Sequence, residues 1–161
     1  EEGESDEYIK RAIYLKSRDN ARTPMPWDHS KGYGFSNSDP WISFSPDNQQ
    51  INVEDALKNP NSVFYHYQKL ISLRKNYPII QHGTYKLINE NDSAVFGYIR
   101  EYKNELLVVI CSFSKESVPY ELPKSLQGRK GVLLLSNYEQ SPSELEDKFI
   151  LRPYEALVYH I

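Results

Sequence analysis

The sequence of residues 94–113 is AVFGYIREYKNELLVVICSF, and it indicates the architecture of the second half of the chain. Branched and aromatic residues dominate two runs, 94–102 and 106–113, and the pair Lys103-Asn104 between them is typical of a turn. The pattern therefore predicts two neighbouring antiparallel strands that are joined by a short turn.

Further short runs of the β type surround this pair, and turn clusters such as 89–92 separate them. They cover residues 84–88, 118–122, 132–135, 149–151 and 156–161. Strands that follow one another with nothing helical between them indicate an antiparallel β-sandwich. A unit of about 80 residues has a small core, so we expect it to lean on a neighbouring part of the protein for stability.

The first half of the chain has helical signals around a long loop. Helices are predicted over about 6–16, with Ser5 or Asp6 as the cap, and over 53–57, with Asn52 as the cap. A third is predicted over 63–76 and ends before Pro78. Residues 17–50 show no periodicity, but their aromatic content is too high for a disordered linker, so we expect a packed, ordered loop. The fold class is thus an α+β fragment, helical and irregular over 1–82 and a β-sandwich over 83–161.

Composition and charge exclude several classes of function. A net charge of −3 and a pI near 5.8 lack the basic footprint of a nucleic-acid-binding protein. No apolar window reaches 18 residues, and no signal-peptide pattern is present, so no membrane partner is expected. The chain opens on Glu1 without a methionine, a start that we expect of a fragment.

Cysteine and histidine usage excludes further chemistry. The single cysteine, Cys111, lies in an apolar run, so we predict a buried structural thiol, no disulfide and a cytoplasmic protein. The four histidines are scattered without the spacing of metal ligands, and nothing implies a metal or a cofactor.

One stretch of the loop carries chemistry, namely residues 17–28, with the sequence SRDNARTPMPWD. Arginine and aspartate can form paired hydrogen bonds with vicinal sugar hydroxyls, and tryptophan offers a flat face for a pyranose ring. Arginine–aspartate pairs also commonly hold loops in place, and buried tryptophan is commonly packing. From the residues alone, both a sugar site and a purely structural loop stay open.

This stretch resembles the motif Ser-Arg-Asp-Asn-Ala-Arg-Thr-Pro-Met-Gln-Trp-Asp of the oligo-1,6-glucosidases, dextran glucosidases, trehalose-6-phosphate hydrolases and sucrose isomerases of the α-amylase superfamily. The likeness continues at residues 34–35, 40–42, 51–54 and 70–75 and returns at 151–156. It therefore spans nearly the whole chain in the right order. It implies the end of a (β/α)8 barrel followed by the antiparallel domain usually called domain C.

The resemblance also implies an activity, which is retaining exo-hydrolysis of α-glucosidic bonds, chiefly the α-1,6 bonds of short isomalto-oligosaccharides. The family's catalytic nucleophile, acid/base and third carboxylate belong to earlier barrel strands, so this chain contains no catalytic residue and is expected to be inactive alone. The matching arginine here is Arg22, which the resemblance places in the wall of the glucose pocket. Arg18 and Asp19 match too, and a structural and a substrate-binding role both stay open for them.

Pro26 departs from the motif, because relatives usually carry glutamine there. The change removes an amide side chain and a backbone N–H, which puts the preference for the sugar acceptor in question. Two alternatives within the enzyme class are a fragment of a trehalose-6-phosphate hydrolase or of a sucrose isomerase. An alternative of another class is a stand-alone carbohydrate-binding or interaction domain. The expected partners are a short α-glucosidic oligosaccharide and the missing part of the barrel.

Overall fold

A computed structural model describes residues 3–161 of the chain, which form two compact units. The first ends at Tyr67, and the second runs from Gln68 to Ile161. The α-helices are α1 (Asp6–Lys16), α2 (Val53–Lys58), α3 (Val63–Asn76) and α4 (Pro78–His82). Three short 3-10 helices, Arg18–Ala21, Lys31–Gly34 and Pro46–Gln49, lie in the loop between α1 and α2.

Side-chain caps begin two of the helices as the sequence predicts. Ser5 accepts a hydrogen bond from the N–H of Tyr8 at 3.2 Å, and Asn52 accepts one from the N–H of Asp55 at 2.9 Å. Neither α1 nor α3 contains a buried residue. The apolar side chains that repeat along these two helices therefore face water in this chain.

The short helix α4 was not predicted, because Pro78 was interpreted only as the end of the preceding helix. Pro78 does lie just beyond α3, separated from its last residue by Tyr77, but it also occupies the first turn of α4, where its missing N–H costs nothing. The helix places Ile79, which is fully buried, on the sheet of the second unit.

All seven predicted strands are present. They are β1 (Lys86–Leu87), β2 (Val95–Tyr102), β3 (Glu105–Ser112), β4 (Val118–Glu121), β5 (Val132–Ser136), β6 (Lys148–Leu151) and β7 (Ala156–His160). Every pairing is antiparallel, with a five-stranded sheet in the order β1-β2-β3-β7-β5 and a two-stranded sheet of β4 and β6. The predicted fold class, a helical and irregular segment followed by a β-sandwich, is confirmed.

The strand pair that contains residues 94–113 forms the centre of the larger sheet. Strands β2 and β3 pair from Val95 with Ser112 to Tyr102 with Glu105, and Lys103 takes a positive φ of 56° in the turn between them. Because side chains alternate along β2, Val95 and Ile99 enter the main core while Phe96 and Tyr98 face the other side of the sheet.

Apolar side chains fill both faces of the five-stranded sheet. The main core lies between the two sheets, and its fully enclosed members include Val108, Ile110, Leu151, Leu157 and Tyr159. The opposite face carries a second cluster of Ile79, Leu107 and Val109, against which Cys111 packs. Cys111 is only half-buried, so the expectation of a buried thiol is met in part. Burial nevertheless raises its pKa, which keeps the thiol protonated near neutrality.

A buried carboxylate closes the turn between β6 and β7. Glu155 accepts hydrogen bonds from the backbone N–H and the guanidinium of Arg152, and from the hydroxyl of Ser141. Burial alone would raise the pKa of Glu155, but these hydrogen bonds and the charge of Arg152 outweigh it and lower the pKa. The guanidinium carbon of Arg152 also lies 4.0 Å from the ring centre of Tyr138, so the ring covers one face of the guanidinium.

Candidate functional site

The loop stretch 17–28 begins with a short 3-10 helix at the end of α1. Ser17 accepts a hydrogen bond from the N–H of Asp19 at 3.2 Å, and this bond begins the helix. The side-chain amide of Asn20 donates to the carbonyl of Tyr14 in α1 at 2.7 Å, which ties the turn to that helix. Arg22 follows at once, and its N–H donates to the carbonyl of Asp19 at 2.9 Å. The three candidate residues of the sequence analysis therefore lie within one short segment.

The side chains of these candidates are largely exposed. The guanidinium of Arg22 lies 3.7 Å from the carboxylate of Asp19, and the two side chains are 56% and 57% exposed. Between residues 3 and 161, Arg22 has no other ion-pair partner and Arg18 has none at all. The structure thus brings Arg22 and Asp19 together and leaves the guanidinium of Arg18 apart. Most of the hydrogen-bonding capacity of Arg22 is available to a ligand.

The middle of the loop is held by the first backbone amides of α2. The carbonyl of Pro26 accepts from the N–H of Val53 at 3.0 Å, and the carbonyl of Trp27 accepts from the N–H of Glu54 at 2.9 Å. A helix leaves its first N–H groups without partners inside the helix, so these carbonyls complete the start of α2. The bond at Pro26 uses its carbonyl, so the missing N–H takes no part in it.

A polar cluster beside this junction was missed by the sequence analysis. The imidazole Nε2 of His29 lies 2.9 Å from Oδ2 of Asp55, and the side-chain amide of Asn52 donates to the same oxygen at 2.9 Å. The hydrogen bonds from His29 and Asn52 lower the pKa of Asp55, so it stays a carboxylate near neutrality. Asn52 was predicted only as a helix cap. No sequence signal joins His29 to it across more than 20 residues of loop.

The turn that follows Trp27 depends on glycine. Gly32, Tyr33 and Gly34 all have positive φ values, of 69°, 51° and 69°. A β-carbon at Gly34 would lie 2.8 Å from the carboxylate of Asp28, so a larger residue would collide with it. That carboxylate accepts hydrogen bonds from the hydroxyl and the N–H of Ser30, which lower its pKa. The turn returns the carbonyl of Tyr33 to the N–H of Trp27 at 2.8 Å.

The aromatic side chains of the loop are mostly exposed, which corrects the expectation of a packed loop. Trp41 is 90% exposed, and about half of Trp27 and of Phe35 faces water. An edge-to-face contact joins Tyr33 and Phe44, with ring centres 5.0 Å apart. Hydrogen bonds to the α2 amides, rather than a core of aromatic rings, define the shape of this segment. The rings are left to contact a ligand or another part of a protein.

The site offers binding groups rather than a catalytic set. Exposed guanidinium, carboxylate and aromatic groups share one loop, and these are the groups that bind sugar hydroxyls and pyranose faces. No group of three or more His, Cys, Asp or Glu in residues 3–161 is arranged to hold a metal ion. Over the same residues, no helix is long and apolar enough to cross a membrane.

Comparisons with known proteins agree with this division of the chain into a loop-and-helix part and a β part. Residues 1–83 match the family model of the alpha amylase catalytic domain, and residues 85–158 match the model of the maltogenic amylase C-terminal domain. The first match covers just over half of the 161 residues.

Two curated relatives are oligo-1,6-glucosidases. The one from Halalkalibacterium halodurans is 46% identical over 158 residues, and the one from Bacillus cereus is 44% identical over 161 residues. These matches cover 98% and 100% of this chain, but the chain spans only 28% and 29% of the length of the two relatives. A solved structure, the trehalose-6-phosphate hydrolase of Bacillus licheniformis, superposes with a TM-score of 0.88 at 38% identity. That superposition covers 98% of this chain and 29% of the other.

Proposed function

The chain belongs to the α-amylase family, and from that premise we propose that it is a segment of a retaining exo-α-glucosidase that hydrolyses the α-1,6 bonds of short isomalto-oligosaccharides. The observation that supports this best is 44–46% identity to two oligo-1,6-glucosidases over 98% or more of the chain. The substrate is thus an α-glucosidic oligosaccharide. Because the single cysteine of this segment can form no disulfide within it, we also propose a cytoplasmic location for the whole protein.

Within this proposal the chain contributes binding groups and a β-domain, and the reaction belongs to residues outside it. The resemblance assigns the nucleophile, the acid/base and the third carboxylate to earlier barrel strands. We assign residues 1–82 to the end of the catalytic domain and residues 83–161 to the C-terminal domain. The family matches, which meet between residues 83 and 85, support that division.

Arg22 is the residue that we place in the wall of the glucose pocket. Its side chain is more than half exposed and makes one long ion pair, so the guanidinium can bond a second carboxylate and a sugar hydroxyl together. A guanidinium that bonds a carboxylate and a sugar hydroxyl closes one end of the pocket around the non-reducing end of the sugar. The enzyme is then exo-acting. Asp19 is assigned a supporting role, since it orients Arg22 through its carbonyl and its carboxylate. Arg18, whose guanidinium lies apart from this pair, is assigned no contact with the substrate.

A trehalose-6-phosphate hydrolase is the second candidate. It is favoured by the superposition on the Bacillus licheniformis enzyme of that name, although the identity there is 38% rather than 44–46%. The two candidate enzymes differ in the acceptor part of the substrate. In the family, the part of the site that binds the acceptor is built largely by residues outside this chain.

Replacement of the matching segment in two known enzymes separates the candidates. This chain is joined to the remaining part of the Bacillus cereus oligo-1,6-glucosidase and, separately, to that of the Bacillus licheniformis trehalose-6-phosphate hydrolase. We expect the first chimera to hydrolyse isomaltose at a rate within about tenfold of its parent, and the second to hydrolyse trehalose 6-phosphate much more slowly than its own parent.

The matched control for each recipient is the same enzyme without the segment, which should be inactive. Greater recovery of activity in the trehalose-6-phosphate hydrolase would favour the second candidate. Two folded but inactive chimeras would contradict both, and would favour a stand-alone interaction domain.

A further inference from the structure

A cleft of about 130 Å³ opens on the second unit beside strand β6, and we call it the β6 cleft. The residues that line it all lie within the segment from Gln140 to Leu157. A cavity of about 150 Å³ in a protein interior is large enough to hold one benzene molecule. The β6 cleft therefore has room for about one six-membered ring.

The floor of the β6 cleft is apolar and belongs to the main core. Phe149 on β6 and Leu157 on β7 both line the cleft and are members of the buried cluster between the two sheets. Side chains alternate along β6, so the next residue, Ile150, points to water and is 72% exposed. Apolar groups thus line the cleft both at its base and at its mouth.

One wall of the β6 cleft carries the ion pair of Arg152 and Glu155. The carboxylate of Glu155 is 3% exposed and accepts hydrogen bonds from Arg152 and Ser141. The hydrogen bonds that the guanidinium of Arg152 makes within residues 3–161 all use Nη2, which donates to Glu155 and to Ser141. The Arg152 side chain is 33% exposed, so its Nε and Nη1 can donate to a ligand in the cleft.

Two exposed polar residues, Gln140 and Glu146, complete the rim. The amide of Gln140 can both donate and accept, whereas the carboxylate of Glu146 only accepts. Arg152 contributes one positive charge and Glu146 and Glu155 contribute two negative ones, so the lining is negative by one charge. This charge disfavours phosphate and other anions, while the mixture of donors and acceptors suits a neutral ligand with several hydroxyl groups.

We propose that the β6 cleft binds one glucosyl unit of an α-glucosidic oligosaccharide. A pyranose ring has apolar C–H faces and a rim of hydroxyl groups, which matches a cleft with an apolar floor and a polar rim. Nε and Nη1 of Arg152 donate to sugar hydroxyls, and the carboxylate of Glu146 accepts from another hydroxyl.

The inference goes beyond the proposed function, which places a bound sugar at Arg22. No residue of the loop stretch 17–28 lines the β6 cleft. Only the choice of a glucosyl unit among neutral sugars rests on the proposed function, because the chemistry of the lining selects a hydroxyl-rich ring without it.

A fully apolar ligand fits the β6 cleft less well. It would remove water from Nε and Nη1 of Arg152 and from the carboxylate of Glu146 without replacing the lost hydrogen bonds. A hydroxyl-rich ring replaces those bonds and still covers the apolar floor.

The first test is a titration of the isolated, isotope-labelled chain with isomaltose, followed through the amide signals by NMR. The chain contains none of the catalytic carboxylates that the resemblance assigns to the family, so we expect no sugar to be consumed. Saturable shifts should appear at the side-chain amide of Gln140 and at the N–H groups of Ile150 and Arg152. A concentration of about 50 mM suffices, because one ring with few contacts should give a Kd of about 1–10 mM.

Two further probes define the chemistry of the ligand. Sorbitol carries as many hydroxyl groups as glucose but has no ring, so its Kd should be at least about fivefold higher, since an open chain must be ordered on binding. Sodium phosphate at matched ionic strength should cause no saturable shift at the β6 cleft, because the lining is negative.

The second test is the double substitution Gln140→Ala with Glu146→Ala. Both side chains are exposed at the rim, so the thermal midpoint should stay within about 2 °C of the unmodified chain. The Kd for isomaltose should rise about tenfold or more, because two hydrogen bonds to the sugar are lost. Glu144→Ala is the matched control, because Glu144 is exposed in the same segment, does not line the cleft and should keep the Kd.

Several outcomes would overturn the proposal. Isomaltose that causes no saturable shift, or shifts only in the stretch 17–28, would do so, and so would an unchanged Kd in the folded double variant. An equal rise in Kd in the Glu144→Ala control would also do so, since it would show an effect of surface charge alone. Phosphate binding at the same residues would replace the sugar by an anion, and equal binding of sorbitol would exclude recognition of a ring.

The outcomes for the β6 cleft and for the proposed function are separable. A chimera that hydrolyses isomaltose, beside an isolated chain that does not bind it at the cleft, would overturn the β6 cleft alone. Binding at the cleft beside folded but inactive chimeras would overturn the proposed function alone.

Discussion

Replacing Arg22 by Lys in the Bacillus cereus chimera should leave the protein folded. The guanidinium has one ion pair in residues 3–161, at 3.7 Å and with both side chains more than half exposed. An exposed pair of this kind contributes about 0.2–1 kcal/mol, and lysine keeps the charge. Even complete loss of the pair would lower the thermal midpoint by only about 2–4 °C in a protein of about 150–250 residues, and by less in the larger chimera. The backbone bond to the carbonyl of Asp19 is unaffected by the change.

The same substitution should weaken catalysis strongly. A guanidinium can bond a carboxylate and a sugar hydroxyl at once in one plane, which a lysine ammonium cannot do. Each lost charge-assisted hydrogen bond costs about 1.5–3 kcal/mol. The loss of one such bond in the transition state lowers kcat/KM by roughly ten- to a hundredfold.

The assay measures kcat/KM for isomaltose and the thermal midpoint on the same purified variant. Arg18→Lys is the matched control, because Arg18 lies on the same turn without an ion pair and should retain both values. Kinetics equal to those of the unmodified chimera would remove Arg22 from the pocket. A midpoint that falls by more than about 4 °C with normal kinetics would show that Arg22 holds the loop instead.

Four further predictions follow from the structure and the resemblance. The isolated chain should not hydrolyse nitrophenyl α-glucoside; turnover that survives removal of host glucosidases would contradict this. Limited proteolysis should cut before residue 80 sooner than within the strands, because α1 and α3 have no buried residues; equal resistance throughout would count against it. Glu155→Gln should remove part of the acid sensitivity of folding. Since the folded pKa of Glu155 is lowered, its contribution is complete above the unfolded value near 4.5 and is lost as the pH falls through the folded pKa, which acid titration followed by circular dichroism would test. Pro26→Gln in the chimera should change the ratio of kcat/KM between isomaltose and panose while keeping the midpoint, because the Pro26 carbonyl bond to Val53 remains; an unchanged ratio would show that this position does not meet the acceptor.

The strands could be predicted from the sequence because each one carries its signal within its own few residues. In residues 94–113 the branched and aromatic side chains, the alternation and the turn pair all agree, and the structure pairs those two strands over their full length. The order β1-β2-β3-β7-β5 could not be predicted in the same way. It depends on contacts between segments that are far apart in sequence, such as β3 with β7.

The predictions that failed, helix α4 and the packing of the loop, did so for a different physical reason. Helix α4 is five residues long, too short for a periodic pattern, and Pro78 signals both the end of one helix and the start of another. The loop was expected to be packed because it is aromatic, yet its main constraints are backbone bonds from Pro26 and Trp27 to α2. Such bonds use atoms that every residue has, so no sequence motif announces them. The motif around Arg22 was found because a family resemblance, and not periodicity, carries it.

The fold of the first unit cannot be explained by an apolar core of its own. Among residues 3–67 the buried residues are Pro24, Asn48 and Asn52, and both apolar clusters of the described chain begin at Ile79 or later. Fixing the backbone of one residue costs about 1–2 kcal/mol, which polar bonds at a solvent-exposed surface offset poorly. We therefore infer that the loop geometry around Arg22 depends on the rest of the catalytic domain. In the proposed enzyme, substrate binding and assembly of that domain are then coupled, so a substitution that loosens the assembly should lower kcat/KM as well as stability, although it touches no substrate.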